Sequence, residues 1–319
     1  MSILIAGGLG YIGGRLANFL RERTDEKICL TTTRTQQQFP AWTKRFVVSS
    51  MNVQDEGSIR RCVEMLKPDT IVHLGAMNQQ QCEKDPKRAL DVNVEGTRRL
   101  LGAAVENGTK RFVYFSTFHV YGIFAGNITE ETPTSPTHPY PRSKRDAEEV
   151  VLAYQRSHGL QTLILRLSNA YGYPMNRDVN VWELGFNKFC RTIMGNDTLV
   201  VKNNSYRDFI AMQDVVRAVH HFLYAVPAER WGDGLFNLGG NCCLSIVEVA
   251  QKVAAVYSKK YGKGPVAIQY PVARENSGER SFCYNVDKLK HTGFRWTGNM
   301  EEEIAKTLAL CEESRSGRI

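Results

Sequence analysis

With 319 residues, 42% hydrophobic and 23% charged, the chain has the composition of a globular protein of one large domain or two intimate ones. Its apolar runs are too short to span a bilayer, and no charged leader precedes a long apolar core, so a cytoplasmic protein without membrane contact is expected. The formal charge of +8 is dispersed rather than gathered into a basic run, which speaks against nucleic acid and suits a polyanionic small substrate.

The eight cysteines are scattered without zinc-ligand spacing, so they read as reduced thiols, and no metal site is expected. At the N-terminal end, the run Ser2 to Gly14 reads SILIAGGLGYIGG. A short apolar strand stops at glycines, Gly7, Gly10 and Gly13 follow at spacings of three, and an amphipathic run begins at Tyr11. Strand, tight turn and helix in that order set free backbone N–H groups and a helix N-terminus at the end of a buried strand, a site for a pyrophosphate.

Beyond the glycines, Ile12 to Arg23 has helical periodicity and Ile28 to Thr32 reads as a second strand. Arg45 to Ser49 is a third apolar burst, Ser58 to Lys67 a helix stopped by Pro68, and Thr70 to Leu74 a buried strand ending in Gly75-Ala76. One long helix is expected from Pro86 to Asn107, then a strand over Phe112 to Ser116, a helix over Tyr140 to His158 and a strand over Thr162 to Leu167. Strands separated by helices, without hairpin signals, predict an α/β fold: a doubly wound parallel sheet covered on both faces.

After Asn169 the segments shorten. Helices are expected over Val181 to Met194, Met212 to Ala225, Ser245 to Ser258 and Glu301 to Glu312, with short strands near Leu199, Phe209, Phe236 and Ile268. The division expected is a dinucleotide-binding domain over 1–168, with a return segment near 205–240, and a smaller discontinuous lobe over 169–319.

Two stretches carry chemistry. Tyr140-Pro141-Arg142-Ser143-Lys144 sets a phenol and an ammonium four residues apart, on one face at the start of a helix. A lysine so placed favours the phenolate and is expected to lower the phenol's pKa, fitting the tyrosine to exchange a proton with a sugar oxygen. On residue pattern alone, a surface Tyr and a surface Lys on an amphipathic helix is the more ordinary reading. Ser116-Thr117-Phe118-His119-Val120-Tyr121-Gly122 falls at the C-terminal end of a strand, the edge where ligands sit in open parallel sheets. There Thr117 is either a hydroxyl for the substrate oxygen or a turn residue.

Together these stretches resemble the extended short-chain dehydrogenase/reductases that act on sugar nucleotides as epimerases, dehydratases and reductases. The matching motifs are GGLGYIG, HLGA, DVNVEGT, STFHVYG, YPRSK, RLSNAYGYP, YRDFIAMQDVVRA and FNLGG, in the family's order over essentially the whole chain. The resemblance implies a Rossmann-type fold, an NAD(P) cofactor and a nucleotide-sugar substrate. Thr117, Tyr140 and Lys144 would be the catalytic residues, with Tyr140 the acid/base and Lys144 also holding the nicotinamide ribose. Gly7, Gly10, Tyr11, Ile12 and Gly13 would face the pyrophosphate, and Leu74, Gly75 and Ala76 would line the cofactor cleft. Asn93 would brace that cleft, or be a buried helical Asn with a structural hydrogen bond. Asn169, Arg207 and Arg274 would grip the substrate diphosphate, with Arg280 an alternative to Arg274. A homodimer through the helices Pro86 to Asn107 and Tyr140 to His158 is also implied.

Three departures refine the reading. The second strand ends Thr31-Thr32-Thr33-Arg34, with no carboxylate to hold the ribose hydroxyls that NAD-preferring members bind. Thr33 and Arg34 therefore favour NADP(H), with NAD(H) the alternative. Asn52-Val53 stands where Asp-Ile is usual beside the adenine. Phe118 and His119 replace the Asp-Glu pair that dehydratases use to eliminate water, so 4,6-dehydration is not expected; His119 is a candidate substrate contact. The expected reaction is reduction of a nucleotide-4-keto-6-deoxysugar. The alternatives are an epimerase with a bound cofactor, a non-catalytic cofactor-binding relative, and reduction of an apolar ketone, which the arginines disfavour.

Overall fold

A computed structural model describes residues 1–196, 198–270 and 282–315. The chain divides into two compact units: one built from Met1–Ile123, Glu130–Leu167 and Val219–Phe236, the other from Phe124–Thr129, Ser168–Ala218 and Asn237–Ile319.

The parallel sheet is built on the first unit, its last edge strand running on past Phe236. Its strands are β1 (Ser2–Ala6), β2 (Lys27–Thr32), β3 (Val47–Ser50), β4 (Thr70–His73), β5 (Arg111–Thr117), β6 (Gln161–Leu167) and β7 (Leu235–Leu238). Their spatial order is β7-β6-β5-β4-β1-β2-β3, and the register from β6 through to β3 is parallel throughout. The order reverses between β1 and β4, and a crevice for ligand opens at such a switch point, beyond the carboxyl ends of the strands. The central strands read as near-continuous apolar runs because helices cover both faces: Ile3, Leu4, Ile5, Ile71, Val72, Phe112 and Val113 are fully buried.

Helix boundaries follow local chemistry. α1 (Tyr11–Arg21) starts at Gly10 with no side-chain cap and no acid in its first turn. α2 (Glu56–Leu66) is capped by Asp55, which accepts from the Ser58 N–H, and ends at Lys67 in a left-handed conformation. Asn78 and Gln81 form a capping box that starts a short helix absent from the sequence expectation, α3 (Gln79–Lys84). The expected long helix is present but not uniform: α4 (Pro86–Leu90) passes through a π-turn over Asp91–Glu95 into α5 (Gly96–Glu106). α6 (Pro139–His158) has proline in its first turn and ends at Gly159, which is left-handed.

The second unit has its own core, in which Phe186, Cys190, Ile193, Leu199, Val253 and Ile304 pack together. Its three-stranded sheet orders Cys243–Ser245, Tyr206–Ala211 and Asn169–Tyr171. The helix expected from Val181 begins later, at Gly185–Ile193, and a capping box of Ser245 and Glu248 opens Ile246–Tyr261. Asp208 pins the strand end: it accepts from Ser168 Oγ (2.6 Å) and from the N–H groups of Gly240 (2.7 Å) and Cys242 (3.0 Å).

Candidate active site

The glycine loop closes against β4. Gly7 has φ +82°, and a Cβ there would stand 2.9 Å from the Gly75 nitrogen. A Cβ on Gly13 would stand 2.5 Å from the Gly7 carbonyl oxygen. Thr31 C=O accepts from both Gly7 and Gly8 N–H, at 3.1 and 2.9 Å, fixing the turn to the end of β2. Backbone therefore packs on backbone, and the uncapped N-terminus of α1, with no acid in its first turn, offers positive potential to an anion. This cradle fits a dinucleotide pyrophosphate at Gly7, Gly10, Tyr11, Ile12 and Gly13.

Around the loop, Thr33 is exposed and Arg34 half-buried, with the Arg34 N–H held by Thr32 Oγ1 at 3.2 Å. Asn52 Oδ1 accepts from Gln54 N–H at 3.0 Å, so this oxygen shapes the turn after β3, and the Val53 carbonyl accepts from Arg99. Leu74 N–H donates to the Ala6 carbonyl (2.9 Å), which sets Leu74, Gly75 and Ala76 beside the glycine turn.

The π-turn has a local purpose. It turns Asn93 inward, where Oδ1 accepts from Met77 N–H (2.8 Å) and Nδ2 donates to Ser143 Oγ (2.9 Å). Ser143 Oγ in turn donates to the Tyr140 carbonyl (2.9 Å). Asn93 is 1% exposed and ties the loop after β4 to the first turn of α6.

That first turn carries Tyr140 and Lys144. Tyr140 is half-buried and packs on Met77, Cys82 and Ala89. The expected depression of its pKa is corrected here: burial, with the nearby Cys82 thiol adding, pushes the phenol up to about 12. Desolvation outweighs any help from the lysine, and the phenol is held protonated. Lys144 is 4% exposed, and burial lowers its ammonium to about 7, with the Glu148 carboxylate and Cys82 opposing the shift. Its Nζ lies 4.2 Å from the centre of the Tyr114 ring. Thr117 ends β5, is 6% exposed, and caps the 3-10 turn Phe118–Tyr121 by accepting from His119 N–H at 3.3 Å.

Several supporting groups were not legible as such. Glu148, one turn beyond Lys144, pairs with Arg166 of β6, both nearly fully buried, through Nη2–Oε2 at 2.7 Å and Nε contacts at 3.1 and 3.3 Å. His73 Nε2 meets Thr97 Oγ1 at 3.1 Å, and because that hydroxyl donates to the Asn93 carbonyl, the imidazole is the donor. Burial holds His73 neutral, at about 3. The i,i+4 spacing of Lys144 and Glu148 was the one available sequence signal.

Phe118 is buried and its ring lies tilted at 37° against the half-buried His119, centroids 4.1 Å apart, and neither position offers a carboxylate. In the second unit, Asn169 Nδ2 donates to the Asp208 carbonyl (2.9 Å). Arg207 donates to the Tyr206 carbonyl (2.6 Å) and lays its guanidinium over the Phe124 ring at 4.5 Å. Arg274 and its alternative Arg280 lie outside the described residues. Among the described residues no group of His, Cys, Asp or Glu could hold a metal ion, and no helix is long and apolar enough to cross a membrane.

A family model described as the NAD dependent epimerase/dehydratase family matches residues 3–239. The low-salt glycan biosynthesis protein Agl12 of Haloferax volcanii is 27% identical over 314 residues, covering 93% of both chains. UDP-glucose 4-epimerase of Halalkalibacterium halodurans is 28% identical over 267 residues, 79% of each chain. Among solved structures, RMD from Pseudomonas aeruginosa complexed with NADPH matches with a TM-score of 0.76 at 22% identity, covering 98% of this chain and 99% of that one.

Proposed function

The chain belongs to the NAD dependent epimerase/dehydratase family, and we propose that within it the chain reduces the 4-keto group of a nucleotide-linked 6-deoxysugar. The observation that carries this reading is a protonated, desolvated Tyr140 one turn from a buried Lys144, with Phe118 and His119 where an eliminating acid and base would stand. A reductase needs a proton donor at the sugar oxygen, and a phenol pushed up to about 12 is one at any physiological pH.

The cofactor, when bound, supplies the hydride. Gly7, Gly10, Tyr11, Ile12 and Gly13 hold its pyrophosphate, Leu74 to Ala76 line its cleft, and Lys144 binds the nicotinamide ribose. Thr33 and Arg34 take a 2′-phosphate, so the preferred cofactor is NADP(H) rather than NAD(H). Tyr140 gives its proton to the carbonyl oxygen while Thr117 donates a hydrogen bond to it. Asn169, Arg207 and Arg274 bind the diphosphate, His119 contacts the sugar, and two copies pair through the segments Pro86 to Asn107 and Tyr140 to His158.

The test is a screen of nucleotide sugars and their 4-keto forms with NADPH and NADH, following absorbance and product identity. Stoichiometric NADPH oxidation by a 4-keto sugar is expected, with Arg34→Ala cutting NADPH affinity about tenfold and leaving NADH nearly unchanged, the loss of one charge-assisted contact. Turnover of a sugar nucleotide without net NAD(P)H oxidation sinks the reductase reading. With the epimeric sugar as product, that result would support the second reading, an epimerase, which the relationship to UDP-glucose 4-epimerase favours.

A further inference from the structure

Tyr114 stands in the middle of β5, in register with His73 of β4. It is 1% exposed, and its ring and that of His73 lie 5.9 Å apart at 45°. Among the described residues its buried hydroxyl has no hydrogen-bond partner. Leaving a phenol hydroxyl so placed costs stability, and phenylalanine would fill the same space without that cost. The ring, by contrast, has a partner. The Lys144 ammonium lies over its face at 4.2 Å, inside the range of a cation–π contact.

The charged and titratable groups facing Lys144 come from four elements. Glu148 lies on its own helix, Cys82 on α3, His73 on β4 and Tyr114 on β5, while Tyr140 precedes it by one turn. His73 is neutral, and Tyr140 and Tyr114 are held protonated by burial. Cys82, also buried, has its thiol pushed up and stays protonated. Glu148 is the formal anion of the set, but its carboxylate is gripped by the Arg166 guanidinium through both oxygens. Much of its field at Lys144 is therefore offset by a fixed opposite charge. The Tyr114 ring face adds to this field, with its centre 4.2 Å from the ammonium.

We propose that Tyr114 is a positioning residue for Lys144: its ring, and not its hydroxyl, seats the ammonium beneath α6 and keeps it charged. The proposal rests on the reading of Lys144 as a catalytic residue only for its effect on turnover. The contact itself is independent of that reading. In a desolvated site such a contact is worth a shift of about one pH unit in the lysine's titration.

The test is an NMR titration of the full chain labelled at lysine Cε, with the Lys144 signal identified by its loss in Lys144→Met. Tyr114→Phe should leave the Lys144 pKa within about 0.3 unit of the parent, since the ring face is retained. Tyr114→Leu should lower it by about one unit, a tenfold smaller charged fraction on the basic side. Should the leucine variant fail to fold, site-specific trifluorophenylalanine at position 114 keeps the shape and weakens only the ring's negative face, and the pKa should fall again. An unchanged pKa in Tyr114→Leu or in the fluorinated protein overturns the proposal, as does an equal shift in Tyr114→Phe. The basic limb of the kcat–pH profile should move with the NMR pKa. If Lys144→Met retains full turnover, the catalytic reading fails, while the titration still decides the seating of the ammonium.

Discussion

Replacing Glu148 by alanine strands a buried guanidinium. The pair is closed on both sides, with side chains 7% and 4% exposed, and three N–O contacts between 2.7 and 3.3 Å join it. After the substitution Arg166 keeps a 3.5 Å contact with the Glu130 carbonyl and a hydrogen bond with Tyr121, whose ring centre lies 4.8 Å from the guanidinium. Neither neutralises its charge. Removing one member of such a pair costs about 3–5 kcal/mol, because the desolvated charge stays behind. At roughly 2–4 °C per kcal/mol this is a fall in Tm of about 10 °C. Glu148→Gln retains an acceptor oxygen and should cost less, about 1–3 kcal/mol. The decisive comparison is the double variant Glu148→Leu with Arg166→Met, which removes both charges and keeps the volume, and it should recover most of the loss. Urea and thermal unfolding of the parent, Glu148→Leu, Arg166→Met and the double variant supply the cycle. A Glu148→Ala protein within about 1 kcal/mol of the parent, or a double variant no more stable than the single one, refutes the reasoning.

Two further outcomes follow from the same unit. Gly13→Ala puts a Cβ 2.5 Å from the Gly7 oxygen and 2.8 Å from Gly8 Cα, all backbone that cannot swing aside. It should weaken NADPH binding, read by nucleotide fluorescence, by about a hundredfold, in line with about 1–3 kcal/mol of overpacking at the phosphate cradle; binding within twofold of the parent would count against the loop as the cofactor site. His73 falls from an ordinary 6.5 to about 3 on folding, so the unfolded chain binds its proton first as pH drops. Stability is therefore present above 6.5 and lost progressively toward 3, by about 2 kcal/mol between pH 7 and pH 5. Urea midpoints of His73→Gln should show a flatter acid limb than the parent, and parallel limbs would show that His73 does not carry this term.

The glycine turn, the alternation of strands and helices, and the four-residue spacing from Tyr140 to Lys144 were legible because each is local. A strand next to Gly-rich backbone and an i,i+4 pair are set within a few residues. What the sequence concealed is set at longer range. The capped helix Gln79–Lys84, mostly polar, has no apolar stripe to mark it. A π-turn adds one residue to a helix without disturbing a hydrophobic pattern enough to be seen, so Pro86 to Asn107 read as uniform. The expected charge effect on Tyr140 failed for a related reason: proximity to a lysine can be read from spacing, but desolvation depends on which other elements cover the pair. Tyr114 looked like any core aromatic of β5, and Arg166, eighteen positions after Glu148, became its partner only because β6 passes beneath α6.

The π-turn and the catalytic helix are best understood as one device. A regular helix from Pro86 onward would leave Asn93 about 100° away per residue of slip, off the line between Met77 and Ser143. The extra residue restores that line, and the result is a continuous run of hydrogen bonds from the Met77 N–H through Asn93 and Ser143 to the Tyr140 carbonyl. Met77, Asn93 and Ser143 are buried and joined by hydrogen bonds, the condition under which a buried polar network rigidifies. Met77 follows the loop Leu74 to Ala76, while Tyr140 is in the first turn of α6. The geometry between them is thus set by Asn93 and Ser143, and Asn93 sits where the helix departs from regularity.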